Sequence, residues 1–179
     1  METAVVSQLI DQYGMDVMRF CRSLTRCACD AEDLYQQTFL KLLQLRVKVE
    51  REQNPRAFLF SIASGIWKNE CRRWGRRAHT APPPSQEELR EQPPQEPPDG
   101  GDLQQQVLDR MCQQELARAV QRLEEKYRSP VILMYRFGMG IDEIARIERV
   151  PKGTIKSRLS RARKQLRKEM EERGYAQEF

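Results

Sequence analysis

From Lys152 to Lys168 the chain places eight lysines and arginines and no acid, with Thr154, Ser157 and Ser160 among them. Ammonium, guanidinium and hydroxyl groups at this density suit phosphate oxygens and the acceptor edges of bases. Helical spacing sorts them. Ile155, Leu159, Ala162, Leu166 and Met170 recur along an inner seam, so Lys156, Ser157, Ser160, Arg161, Lys164 and Lys168 must point elsewhere. A second basic group, Lys68, Arg72, Arg73, Arg76 and Arg77, is interleaved with Trp67 and Trp74. Aromatics between arginines hold single-stranded or opened nucleic acid by stacking and charge. The same pattern also fits a helix whose tryptophans are core residues and whose arginines favour its C-terminal end. On the residues alone both readings stand.

Enzyme chemistry finds little to use. The lone His79 lies in a proline-rich stretch, there is no phosphate-cradling glycine loop, and no Ser or Cys sits in a strand-turn-helix setting. The acid pairs Glu32–Asp33 and Glu124–Glu125 read as solvated or docking carboxylates. The five cysteines are odd in number and lack a CxxC spacing, which disfavours a disulfide framework. Cys21, Cys27 and Cys29, with only His79 to complete them, would make a poor metal site. They read as ordinary thiols in a reducing compartment, so neither catalytic residue, metal nor cofactor is assigned. No apolar run approaches the ~18 residues a membrane span needs. The opening METAVVSQLIDQYG also lacks a basic segment followed by an apolar core. A soluble, cytoplasmic protein is expected. The formal charge of +5 matters less than its concentration in the two basic groups.

The elements that must position these groups all read as helical. Residues 3 to 25 form an apolar-faced helix with an interruption expected near Gly14. Asp30 has the look of an N-cap, with Asp33 at the third helical position. The stripe that follows is Ala31, Leu34, Tyr35, Phe39, Leu42 and Leu45. Asn54 and Pro55 open the next helix, whose stripe runs Phe58, Leu59, Ile62, Ala63, Ile66, Trp67. Residues 79 to 101 hold seven of the ten prolines and five acids against one arginine, a composition that builds no core. Helical pattern resumes through Val107, Leu108, Met111, Leu116, Val120 and Leu123, and Ser129–Pro130 is expected to open a helix to Phe137. Ile141 to Ile147, a turn from Glu148 to Gly153, and a helix from Thr154 make a helix-turn-helix. The expectation is an all-α protein: a helical domain over 1–78, a flexible, disordered acidic proline-rich linker over 79–102, and a second helical domain over 103–179.

Three stretches in this order resemble a sigma-70 superfamily RNA polymerase sigma factor of the extracytoplasmic-function (ECF) type. They are DAEDLYQQTFLKLL (30–43), NPRAFLFSIA followed by KNECRRWGRR (54–77), and EEKYRSPVILMYRFGMGIDEIARIERVPKGTIKSRLSRARKQLRK (124–168). The resemblance implies a transcription initiation factor that brings core RNA polymerase to promoters and opens the DNA. It implies that Glu32, Asp33, Leu34, Gln36 and Phe39 dock on the clamp helices of the polymerase largest subunit, with the flap as a further contact. Trp67, Lys68, Asn69, Arg72, Arg73, Trp74, Arg76 and Arg77 would engage the downstream element and the melted strand. Lys156, Ser157, Ser160 and Arg161 would lie nearest base edges of the upstream element, with Lys152, Thr154, Arg158, Arg163 and Lys164 on phosphates or in packing. An anti-sigma partner is implied too, and compaction of the two domains would hide both DNA-binding faces. Gly65 stands where relatives often have Asn, Gln37 where an acid is common, and Glu148–Arg149 where Leu and Gly are common. The alternative is a helix-turn-helix regulator that never docks on polymerase. It would leave the 30–43 helix and the basic aromatic helix end unexplained.

Overall fold

A computed structural model describes residues 2–45, 54–78 and 103–175, with side chains over 6–45, 54–74 and 110–175. Among them the chain forms seven α-helices and no strand: α1 (Glu2–Leu24), α2 (Ala28–Gln44), α3 (Pro55–Ala78), α4 (Leu103–Arg122), α5 (Glu125–Tyr135), α6 (Ile141–Glu148) and α7 (Lys152–Glu172). None of the described helices is long and apolar enough to cross a membrane. The linker assigned to 79–102 lies outside the described residues.

Helix α1 runs through Gly14 without the expected interruption. Gly14 is buried, and a Cβ there would come within 3.0 Å of Tyr35 Oη, so the glycine serves the approach of α2 rather than a break. The N-cap of α2 is Cys27, not Asp30. Its sulfur accepts the Asp30 N–H at 3.3 Å, and Asp30 falls in the first turn, where its charge suits the helix dipole. Ala31, Leu34, Phe39 and Leu42 are buried as the stripe requires, whereas Leu45 is largely exposed just past the helix end. Helix α3 begins as its sequence implies, Asn54 Oδ1 accepting the Ala57 N–H at 3.0 Å ahead of Pro55. In α4 the buried residues include Cys112 and Ala119, and Met111 is half exposed.

Helix α5 starts well before Pro130, which sits inside it. The first turn closes on Glu124 O, which receives the Tyr127 and Arg128 N–H groups, and buried contacts of Arg128 and Ser129 hold the helix through the proline. Tertiary anchoring outweighs the local signal. Helix α6 keeps Glu148 as its last residue and ends on Arg149 in the left-handed conformation (φ 54°), which turns the chain into α7 two residues earlier than Thr154.

One continuous hydrophobic cluster joins α1–α3 to α5–α7. Against this cluster the half-buried ring of Phe137 lies 5.8 Å from Phe20 and 4.9 Å from Phe60, edge-on to both, and the Arg56 guanidinium caps Phe60 and Phe137 at 5.5 Å. The α1 C-terminus is completed from the second half of the chain: Gln121 donates to Ser23 O at 2.7 Å and Arg128 to Leu24 O at 2.8 Å. Arg128 also donates to Leu123 O at 2.9 Å and to Gln121 O, and lies 5.4 Å over the Trp67 ring. Burial, with Arg26 nearby, pulls its guanidinium down to about 10, so it stays charged at neutral pH.

Gly65 is exposed on α3, and a Cβ there would meet nothing within 4 Å. Gly65→Ala should therefore stabilise the protein by ~0.5–1 kcal/mol through helix propensity alone, read as a raised denaturation midpoint. A lowered midpoint would show that α3 needs the bare backbone at this position.

Candidate nucleic-acid interface

The inner seam of α7 is as its spacing requires: Ile155, Leu159, Ala162 and Met170 are buried and Leu166 packs against them. Rotation at 3.6 residues per turn then sends Lys156, Ser157, Ser160, Arg161 and Lys164 outward, and all five are exposed. Ser157 Oγ donates back to Thr154 O at 2.9 Å, leaving its lone pairs outward. Lys152 is exposed and pairs with Asp142 at 2.8 Å, tying the α7 start to α6. Arg163 is exposed on one flank of the seam and Thr154 is half-buried. Arg158, on the other flank, turns inward to within 3.9 Å of the Glu148 carboxylate.

On α3 the two tryptophans part company. Trp67 is 2% exposed and packs under Arg128, so in this closed arrangement it is part of the core and offers no ring to a base. Trp74 is 46% exposed, with Asn69, Arg72 and Arg73 exposed beside it. Lys68 is ion-paired with Glu148 rather than offered to solvent. The side chains of Arg76 and Arg77 lie outside the described residues, though both are within the helix.

On α2 a similar division corrects the expected docking set. Leu34 and Phe39 are buried and therefore hold the helix in place rather than meet a partner. Glu32, Asp33 and Gln36 are exposed, and the same outward row continues to Leu40 and Leu43, 57% and 42% exposed. These two leucines fall off the inward stripe by helical angle, a signal the sequence did carry. Gln37 donates to Glu70 Oε1 at 3.1 Å and so ties α2 to α3.

The cysteines take separate places. Cys27 caps α2 and Cys29 is exposed, while Cys21 and Cys112 are buried and Cys71 half-buried; none of the five is in a disulfide. Burial pushes the Cys21 thiol up to about 12, and burial with Glu125 alongside pushes Cys71 up to about 11, which leaves both protonated and unreactive at neutral pH.

The packing of the two halves does not hide the basic faces, contrary to expectation. The outward face of α7 and the side chains of Asn69, Arg72, Arg73 and Trp74 remain exposed; what is covered includes Trp67, Lys68 and part of Arg158.

Family models for "Sigma-70 region 2" and "Sigma-70, region 4" match residues 9–77 and 113–166. The ECF RNA polymerase sigma factor SigL of Mycobacterium tuberculosis (strain ATCC 25618 / H37Rv) is 30% identical over 174 residues, covering 97% of this chain and 93% of that protein. The chain is an ECF sigma factor of the sigma-70 family. SigW of Bacillus subtilis (strain 168), also an ECF RNA polymerase sigma factor, is 22% identical over 92% of this sigma factor and 88% of its own length. Among solved structures, the sigma factor RpoE of Bartonella quintana, crystallised with the anti-sigma factor NepR, superposes with a TM-score of 0.65 at 27% identity. That match covers 92% of this chain and 96% of the other. CnrH, solved with the cytosolic domain of CnrY, shares the fold at a TM-score of 0.61 and 19% identity, over 95% of this chain and 90% of its own. This sigma factor is thus a transcription initiation factor, and the reading as a regulator independent of polymerase is set aside.

Proposed function

We propose that this sigma factor docks on core RNA polymerase through the outward row of α2, reads an upstream promoter element with α7, and opens DNA with the exposed end of α3. The observation that carries the reading is the outward face of α7. Lys156, Ser157, Ser160, Arg161 and Lys164 are all exposed there, behind a helix-turn-helix whose inner seam is buried. A helix presented in this way fits the major groove, where cations and hydroxyls meet base edges, and flanking Lys152, Thr154 and Arg163 reach phosphates. The α3 end supplies what a separated strand needs, a ring for stacking in Trp74 and cations for the freed backbone in Arg72 and Arg73, with Asn69 alongside. Arg76 and Arg77 follow in the same helix and belong to the same reading.

In this reading residues 1–78 form the polymerase-binding and strand-opening unit, 79–102 the linker, and 103–179 the upstream-element unit. The bond-making chemistry is the polymerase's, and the factor acts in the cytoplasm, where that enzyme works. An anti-sigma partner is part of the proposal, supported by the relative RpoE having been crystallised with one. In vitro transcription with core enzyme and a genomic promoter library tests the whole: specific starts are expected, and their absence with folded protein and active core would sink it.

The α2 row gives a sharper test of docking. Asp33, Gln36, Leu40 and Leu43 combine polar and apolar groups on one exposed face, the composition of a helix that seats in a partner's groove. Leu40→Glu with Leu43→Glu should weaken core polymerase binding on the order of tenfold or more while thermal stability stays unchanged. Undiminished binding would move the docking face off α2.

A further inference from the structure

Glu148 ends α6 with its carboxylate wholly enclosed between the two halves of the chain. Its Oε1 accepts from Ser64 Oγ at 2.8 Å and from Ser129 Oγ at 2.6 Å. Its Oε2 is ion-paired with Lys68 Nζ, and Arg158 Nη1 stands 3.9 Å away. Ser64 and Lys68 are one helical turn apart on α3, Ser129 is on α5 and Arg158 on α7, so one carboxylate gathers four helices. Nearby, Asn54 at the α3 start donates to Glu143 Oε1 at 3.1 Å, a second polar tie between α3 and α6. Phe137 supplies the apolar part of the same closure.

A buried carboxylate is tolerated when it is hydrogen-bonded and its charge is met. Ser129 and Arg158 belong to the same half as Glu148, whereas the Ser64 hydrogen bond and the Lys68 counter-ion are present only while the halves are together. Separated, Glu148 and Lys68 rehydrate independently. The pair therefore selects one closed arrangement more than it adds to the stability of either half. Lys68 sits one residue before Asn69 and shares a helix with Arg72, Arg73 and Trp74, where a lysine would otherwise meet phosphate. In the closed chain a carboxylate occupies the place of that phosphate.

We propose that Glu148 is a latch: it holds the two halves closed by taking Lys68 as its counter-ion, so that closure and capture of a DNA strand compete for one ammonium group. The competition rests on the reading of α3 as the strand-opening helix; the latch itself does not.

The test uses the full chain with a donor–acceptor pair carried on unnatural amino acids at the exposed Gln12 and Gln165. Glu148→Gln is compared with wild type, and with Ser64→Ala/Ser129→Ala, which leaves every charge in place. Circular dichroism melts first establish that each variant folds. The open, low-transfer population should rise on the order of tenfold in Glu148→Gln, and rise also in the double serine variant. Without polymerase, Glu148→Gln should bind a labelled mixed-sequence single strand several-fold more tightly. One added phosphate contact should steepen its slope of log K against log salt by ~0.7, and Lys68→Met in the same background should remove that gain. Unchanged transfer in both variants overturns the latch, whatever transcription does. Opening with unchanged strand affinity and slope overturns the competition. Opening and tighter strand binding in a protein that fails to initiate with core polymerase would support the latch while removing the initiation reading.

Discussion

Trp67→Ala is expected to destabilise the protein by ~3–5 kcal/mol, a large share of what a domain of this size has to lose. The side chain is 2% exposed, and the Arg128 guanidinium lies over its ring while donating to carbonyls at the ends of α1 and α4, so truncation leaves both a cavity and a charge without its packing surface. Urea denaturation measures the loss, and a midpoint within error of wild type would return Trp67 to the surface. Trp74→Ala is the counterpart. With its ring 46% exposed, stability should change by no more than ~0.5 kcal/mol. Promoter opening should instead lose a stacking contact of ~1–3 kcal/mol. Permanganate reactivity of promoter thymines would fall while closed-complex formation is spared; equal loss at both stages would mean that Trp74 also supports the fold.

The second large effect concerns promoter binding. Arg161→Ala should weaken occupancy of the upstream element by ~1–3 kcal/mol if the guanidinium spans the two acceptors of a guanine, and should relax preference at that one base pair. Arg161 is exposed on the outward face of α7, one turn from Ser157 and beside Ser160 and Lys164. Arg158, only three residues earlier, faces Glu148, so the two arginines should separate in assay. Footprinting of the polymerase-bound factor on wild-type and single-base-changed promoters measures both effects. Uniform weakening across all promoter variants would assign Arg161 to phosphate instead.

The helices, the α7 seam and the exposed face opposite it were legible because 3.6-residue periodicity reports directly on which side of a helix is buried. The inward stripe of α3 ends at Trp67, but Trp74, seven residues on, shares its helix face, and it is the packing of Arg128 from α5 over Trp67 that separates the two. The helical stripe places Leu34 and Phe39 inward, where they are buried, and only the family pattern points to them as docking residues. Leu40 and Leu43 could have been found from their angle on the same helix. Glu148 could not: its partners Ser64 and Lys68 lie on a helix some 80 positions away, and no local rule marks a helix-end glutamate for burial. The early start of α5 has the same origin, in contacts that a proline signal does not foresee.

The way α1 ends bears on how the chain is made. Ser23 O and Leu24 O find their partners in Gln121 and Arg128, 98 and 104 positions further on, residues that leave the ribosome long after α1 has emerged. Folding during synthesis proceeds from the N-terminus, so α1, α2 and α3 assemble while those carbonyls are still bonded to water. The nascent protein therefore passes through a stage in which its first three helices are formed and unclosed. The closed arrangement is acquired only when the last hundred residues have been delivered.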